Sequence, residues 1–139
     1  MSNDEQAVDV LIKYYESLSN DVVVGLGKYF DENVTLVSLT GSNVVSGTKN
    51  LEAVFENLVD TWKKLGVSRK LQYDRAKFRV EDIQDNVKTI HTRLTNFRDT
   101  GEVFETWHCM YVMCESADGW KITLVTFDDK GTENFAKAS

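Results

Sequence analysis

Apolar residues recur at three- and four-residue spacing in two stretches of the first half of the chain. The spacing predicts one amphipathic helix over residues 4–18 and a second over residues 50–65. The first apolar stripe consists of Val8, Leu11, Ile12, Tyr15 and Leu18. The other consists of Leu51, Val54, Phe55, Leu58, Val59, Trp62 and Leu65. Gly66 follows the second stripe, where a left-handed residue typically ends a helix.

A short helix is also predicted between these two, over residues 21–29. Ser19, Asn20 and Asp21 indicate a break followed by a new helix cap. Residues 22–24 are all valine, which leaves a strand as the alternative, and Gly25 and Gly27 lower the helix propensity further.

Alternation of apolar and polar residues predicts strands in the remainder. Residues 33–39 and 44–46 form a short hairpin, and four longer strands follow at 69–81, 87–98, 103–115 and 120–127. Turn residues separate the long strands at 82–86, 99–102 and 116–119. Helices therefore come first and strands later, which predicts an α+β fold with three N-terminal helices on one face of an antiparallel sheet.

The two last turns fix which residues share a face of this sheet. A loop at 116–119 places Glu115 opposite Trp120, and a loop at 99–102 places Asn96 opposite Glu105. One face then holds Ile90, Thr92, Leu94, Asn96, Glu105, Trp107, Cys109, Tyr111, Met113, Trp120, Ile122, Leu124, Thr126 and Asp128. The other holds His91, Arg93, Thr95, Phe97, Thr106, His108, Met110, Val112, Lys121, Thr123, Val125 and Phe127. A single bulge in either hairpin would exchange these sets.

The first face is richer in large apolar residues, so we predict that it meets the helices. Near one end it brings Asn96, Glu105, Thr126 and Asp128 together beside Trp107. A polar group at the rim of an aromatic surface is typical of a small-molecule pocket. The second face is too apolar for a fully solvated surface, which predicts a homodimer interface.

Composition narrows the classes of partner. The chain has 139 residues, a net charge of −6 and a pI of about 4.9. We expect a single domain over residues 1–139 that binds neither nucleic acid nor an anionic membrane surface. No apolar run approaches the roughly 20 residues that span a bilayer, and the N-terminus does not resemble a secretory leader. Cys109 and Cys114 fall on opposite faces of one strand, so reduced thiols and a cytoplasmic location are expected.

The order of elements resembles the nuclear transport factor 2-like superfamily, which includes SnoaL-like and ketosteroid-isomerase-like proteins. Three short motifs carry the resemblance, at residues 29–34 (YFDENV), 47–51 (GTKNL) and 118–122 (DGWKI). The resemblance covers nearly the whole chain and implies a cone-shaped fold, a deep pocket between the curved sheet and the helices, and commonly a dimer. It fixes no activity, because the fold hosts enzymes and non-catalytic binding proteins alike. Enzymatic members generally use pocket carboxylates, but no catalytic residue can be carried over by motif.

Glu105 and Asp128 are the candidate catalytic residues. A carboxyl in an apolar pocket has a raised pKa, which suits proton abstraction beside a carbonyl, with Tyr111 as a neighbouring donor. The alternative is that both acids lie at strand ends in water. The candidate pocket-lining residues are Tyr15, Phe55, Trp62, Asn96, Trp107, Tyr111 and Trp120.

His91 and His108 share the outer face with Arg93 between them. A histidine pair can hold a metal or relay a proton, but the sequence offers no third metal ligand nearby. We therefore expect no metal and no cofactor. The resulting prediction is a protein that binds an apolar small molecule. The alternatives are a cofactor-independent isomerase, cyclase or hydrolase that uses a pocket carboxylate, and a non-catalytic homodimerisation module.

Overall fold

The chain folds as helices on one face of a curved sheet. The computed structural model describes residues 2–20, 22–38, 41–68 and 70–127. The helices are α1 (Asn3–Ser19) and α2 (Thr48–Lys64). The strands are β1 (Phe30–Ser38), β2 (Gly41–Ser46), β3 (Arg79–Gln84), β4 (Val87–Phe97), β5 (Val103–Ser116) and β6 (Gly119–Phe127).

The start of α1 and the end of α2 both carry residues that satisfy terminal backbone groups of the helix. The Ser2 side chain accepts from the N–H of Glu5 at the start of α1. At the end of α2, the N–H of Gly66 donates to the carbonyl of Lys63, and the N–H of Val67 donates to that of Trp62. Gly66 has a φ of 68°, which glycine adopts without strain. These two bonds form a Schellman motif, as Gly66 predicted.

The predicted helix over residues 21–29 is wrong. Only a 3₁₀ turn forms there, at Leu26–Tyr29, so two α-helices rather than three lie before β3 in the described residues. Three valines and two glycines in this stretch oppose a regular helix. Gly27 also lies so close to α2 that a Cβ on it would come within 2.3 Å of the Thr48 methyl. The turn therefore holds the chain against the start of α2.

The described strands form one sheet in the order β2-β1-β6-β5-β4-β3. Neighbouring strands are antiparallel except for β1 and β6, which run parallel. The prediction of a purely antiparallel sheet is therefore wrong at this pair. The predicted strand over residues 69–81 is also too long, because β3 begins only at Arg79, after a 3₁₀ turn at Arg75–Lys77.

The core lies between the helices and the concave face of the sheet. Helix α1 contributes Leu11 and Tyr15, and α2 contributes Phe55 and Trp62. Aromatic rings meet at this junction, for example Tyr14 against Phe30 at 5.1 Å between ring centroids. Such ring pairs add to the free energy gained from burial, so the helices are held firmly on the sheet.

Candidate functional site

The hairpin between β4 and β5 has the predicted register up to Asn96, and beside the turn it shifts so that Phe97 lies opposite Val103. Asn96 lies opposite Glu105, Leu94 opposite Trp107, and Ile90 opposite Tyr111. The β4 and β5 residues predicted for the inner face are all buried. They are Ile90, Thr92, Leu94, Asn96, Glu105, Trp107, Cys109, Tyr111 and Met113.

The hairpin between β5 and β6 keeps the predicted register only near its turn. Glu115 lies opposite Trp120 and Met113 opposite Ile122, but the register then shifts by one residue. Val112 now faces Leu124, Tyr111 faces Val125, and Met110 faces Thr126. This irregularity turns Val125 into the core, so its predicted outward position is wrong.

The same shift corrects the predicted polar cluster. Thr126 and Leu124 belong to the outer face, not to the inner one where they were expected. Asp128, the second candidate catalytic residue, lies outside the described residues. The inner cluster that the structure brings together is therefore Asn96, Glu105 and Trp107.

Asn96 and Glu105 form a buried polar pair on the concave face. Their exposed fractions are 0% and 2%. The Asn96 Oδ1 accepts from the backbone N–H of Glu105 at 3.1 Å, beside a register irregularity in the β4–β5 ladder. This bond uses the acceptor end of the amide. Among the described residues, the Asn96 Nδ2 donor has no acceptor.

Three hydroxyl groups meet further along the same face. The Tyr15 hydroxyl, from α1, donates to the Tyr111 hydroxyl at 2.7 Å and lies 2.9 Å from Thr92 Oγ1. Burial raises the pKa of Tyr15 and of Tyr111 well above the ordinary value for tyrosine. Both hydroxyls therefore stay protonated at neutral pH and act as hydrogen-bond donors and acceptors.

The seven predicted pocket-lining residues all lie in the interior, where each is buried. Several touch one another or neighbouring rings. Tyr15 lies 6.0 Å from Tyr111 between ring centroids, and Phe55 lies 5.5 Å from Tyr14. Their contact with a bound ligand stays a prediction.

Lys88 is a charged residue of the concave face that the sequence did not single out. Its side chain is 4% exposed and forms salt bridges with Asp4 of α1, at 2.6 Å, and with Asp82 of β3. Hydrogen bonds from the ammonium to the two carboxylates raise the pKa of Lys88. Its ammonium also lies 5.4 Å from the Trp120 ring. The available signal was its even spacing from Ile90, which places both on one face.

The sequence itself matches a protein family. The sequence profile of the family described as NTF2-like protein (DUF6841) matches residues 5–130. The chain belongs to this NTF2-like family. The resemblance noted in the sequence is thereby confirmed. No curated protein matches the chain.

Solved structures support the same fold for the NTF2-like chain. An NTF2-like protein with a cystatin-like fold from Novosphingobium aromaticivorans has a TM-score of 0.72 at 11% identity, covering 90% of this chain and 80% of that one. A ketosteroid isomerase-like protein from Erwinia carotovora atroseptica gives 0.67 at 14%, covering 88% and 92%. A protein of unknown function with a cystatin-like fold from Nostoc punctiforme gives 0.71 at 13%, covering 89% and 88%. At such identities the likeness concerns the fold alone.

The outer face of the NTF2-like sheet carries an open depression of about 500 Å³. It lies on the face opposite the buried Asn96–Glu105 pair. Its lining residues are Lys77, Arg79, His91, Thr92, Arg93, His108, Cys109, Met110 and Thr126. Both candidate histidines thus line the outer depression, on the face where they were predicted.

The part of the chain that the structure describes shows neither a metal-binding cluster nor a membrane-spanning helix. Within residues 2–20, 22–38, 41–68 and 70–127, no group of three or more His, Cys, Asp or Glu side chains could hold a metal ion. Neither of the described helices is long and apolar enough to cross a bilayer.

Proposed function

We propose that the chain binds a small, largely apolar molecule that carries a hydrogen-bond acceptor. The binding place is the interior beside Asn96 and Glu105, between the concave sheet and the helices. The observation that carries the proposal is the Asn96 Nδ2, a donor that is fully buried and has no acceptor within the described residues. Buried donors are almost always paired, so an acceptor from a ligand would complete this group.

The surroundings of Asn96 fit such a ligand. Trp107 lies two residues from Glu105 on the same face of β5, Leu94 lies opposite Trp107, and both are buried. Binding sites for small molecules generally combine apolar walls with a few fixed polar groups. A ketone or an ester would place its carbonyl oxygen at Asn96 and its carbon skeleton against the aromatic rings.

Acid–base catalysis at the same place is the second candidate function. Glu105 is buried on the strand directly opposite Asn96. A carboxylate beside a polarised carbonyl could remove the proton from the adjacent carbon, while the Asn96 amide stabilises the enolate oxygen. In this scheme Asn96 replaces Tyr111 as the donor. Tyr111 lies six residues from Glu105 on β5, a separation of roughly 20 Å.

A thermal-shift series tests binding. Cyclic ketones of increasing ring number are compared with hydrocarbons of equal size that lack the carbonyl. We expect the ketones to raise the melting temperature of the protein and the hydrocarbons to have little effect. Asn96→Ala should reduce the shift, because it removes the buried donor, and Asn57→Ala, an exposed position on α2, serves as the matched control. Unchanged melting temperatures across both series, in wild type and variants alike, would remove the proposal.

Turnover separates the two functions. For a catalyst, wild type should exchange the proton next to the ketone with solvent deuterium, which NMR detects directly. Glu105→Gln should then abolish exchange while ketone binding persists. Binding without exchange in wild type would show that the protein binds the ketone but does not catalyse this proton transfer.

Homodimerisation through the outer face is a further proposal. The half-buried Val112 and Leu124 lie directly opposite each other on that face and form an apolar pair. Two copies could cover this pair against each other. Sedimentation of wild type and of Val112→Lys tests it, since a lysine at the interface should shift a dimer to monomers. A monomeric wild type would disprove it.

A further inference from the structure

We propose that the outer face of the sheet carries a second binding site, for a small organic anion with a carboxylate or phosphate group. The site is the basic groove, the depression of about 500 Å³ described above, whose outer-face lining residues are Lys77, Arg79, His91, Arg93, His108, Met110 and Thr126. It lies on the face opposite Asn96 and Glu105, so it is independent of the interior site.

Strand pairing explains why these residues meet. Arg79 lies opposite His91, His91 opposite Met110, and Met110 opposite Thr126. These four residues form one row across β3, β4, β5 and β6, roughly 14 Å from end to end. Arg93 and His108 lie opposite each other and form part of the adjacent row. The irregularity between Val112 and Met113 places Thr126 in the row, so the groove depends on that shift.

The charge of the basic groove contrasts with that of the chain. The whole chain has 22 acidic and 16 basic residues, yet the lining of the groove includes three Lys or Arg and no Asp or Glu. Arg79 is partly neutralised by Glu81 at 3.1 Å. Within the described ranges, Lys77 and Arg93 form no salt bridge. The groove therefore presents cationic charge that an anion could neutralise.

Arg93 is oriented toward this role. Its Nε and Nη2 lie 2.8 and 2.5 Å from Nε2 of His108. This contact orients the guanidinium of Arg93 and places no carboxylate against its charge. The opposite edge of the guanidinium, formed by Nη1 and Nη2, can then bind the paired oxygens of a carboxylate or phosphate.

The size of the groove favours a small molecule over a polymer. A volume of about 500 Å³ falls within the range typical of small-molecule sites. Met110 lies in the middle of the row and offers a polarisable apolar surface. A nucleic acid would need a longer basic surface and would be repelled by the net charge of −6. An aromatic or aliphatic acid satisfies both the cationic and the apolar parts.

Titration with benzoate and phenyl phosphate, followed by amide NMR, tests the assignment, with benzyl alcohol as the uncharged control. We expect both anions to perturb the resonances of His91, Met110 and Thr126, and the alcohol to leave them unchanged. Arg93→Gln and Arg79→Gln should each weaken binding roughly ten-fold. Lys49→Gln removes the same unit of charge at an exposed position on α2 and should have no effect.

Glu81→Gln should change the anion affinity of the groove in the opposite direction. Removing this carboxylate releases Arg79 from its salt bridge, so anion affinity should rise by up to about five-fold. Equal weakening by Arg93→Gln and Lys49→Gln would indicate diffuse attraction and overturn the site. Undisturbed groove resonances with both anions would overturn it as well. Preferential binding of a polyglutamate peptide or of single-stranded RNA would assign the groove to a macromolecule and contradict the proposal.

Discussion

The side chain of Asn96 accepts a hydrogen bond from the backbone N–H of Glu105, the residue directly opposite it on β5. One amide thus serves two purposes. Its oxygen satisfies a buried backbone donor beside an irregular part of the ladder, and its nitrogen is left for another acceptor. The structural role and the proposed binding role therefore fall on a single side chain.

Asn96→Ala should lower the stability of the protein. The substitution removes a side-chain acceptor of the Glu105 N–H, and loss of one partner of a buried hydrogen bond costs about 1–3 kcal/mol. The free energy of unfolding, measured by urea titration, checks this value. Asn57→Ala, on the exposed surface of α2, should change it by less than about 0.5 kcal/mol. Equal effects of the two substitutions would show that the hydrogen bond contributes nothing.

The hydroxyls of Tyr15, Tyr111 and Thr92 form a cluster, and its hydrogen bonds predict which substitution lowers the stability of the protein more. Tyr15→Phe removes both hydrogen bonds of the cluster and should cost about 2 kcal/mol, whereas Tyr111→Phe removes one and should cost about 1 kcal/mol. A double-mutant cycle between the two positions should give a coupling energy of about 1 kcal/mol. Tyr29→Phe, a half-buried position outside the cluster, is the control. Additive effects of the two cluster substitutions would contradict the direct contact.

Stability should fall steeply in alkaline solution. Burial raises the pKa of Tyr14 above its ordinary value of 10.0. Above pH 10 the unfolded chain therefore releases a proton that the folded chain retains, and the free energy of unfolding decreases. Lys88 acts in the same direction. The pKa of Lys88 is raised above 10.5, so its contribution to the free energy of unfolding is complete below that pH. The contribution is lost as the pH rises through the pKa of Lys88 in the folded state.

Tyr14→Phe tests the origin of this slope. It removes one titrating group, so the decline in unfolding free energy should become shallower by about 1.4 kcal/mol per pH unit above pH 10. Urea titrations across the alkaline range measure it, and tyrosinate absorbance reports when the remaining rings ionise. An identical slope in wild type and variant would show that Tyr14 titrates equally in both states.

The salt bridges of Lys88 with Asp4 and Asp82 predict that removing the lysine costs less stability than removing both carboxylates. Lys88→Met leaves two carboxylates that are 52% and 66% exposed and so remain solvated, and stability should stay within about 1 kcal/mol of wild type. Replacing Asp4 and Asp82 together by Asn instead leaves a buried ammonium without its counter-charges and should cost about 2 kcal/mol, after allowance for partial solvation. Arg75→Gln, which breaks an exposed salt bridge to Asp9, should cost about 0.5 kcal/mol at most. Thermal and urea unfolding of the variants decide the order.

The periodicity of apolar residues and the positions of turn residues were enough to predict much of the fold. The apolar stripes located α1 and α2, and Gly66 marked the end of α2. The turn around Gly101 set the β4–β5 register, so Asn96 and Glu105 were placed together from sequence alone. These features depend on neighbours close in the chain, which is why local patterns recorded them.

The features that escaped prediction depend on distant contacts. The β5–β6 irregularity lies near Thr123, where no glycine marks it, and Leu124 and Val125 are both apolar, so alternation favours neither face. Lys88 is buried because Asp4 pairs with it from 84 positions away. The basic groove required the pairing of Arg79 with His91, and that pairing depends on where β3 begins.

The position of β6 also affects how the protein is made. This strand follows the others in the chain, yet it lies in the middle of the sheet, between β1 and β5. Until β6 emerges from the ribosome, β1 and β5 each present an open edge to neighbouring nascent chains. The hairpin of β1 and β2 and the meander of β3, β4 and β5 can form earlier, and within the described sheet β6 joins them. A chain that stalls before residue 119 would therefore hold two unjoined halves and be exposed to chaperones and proteases.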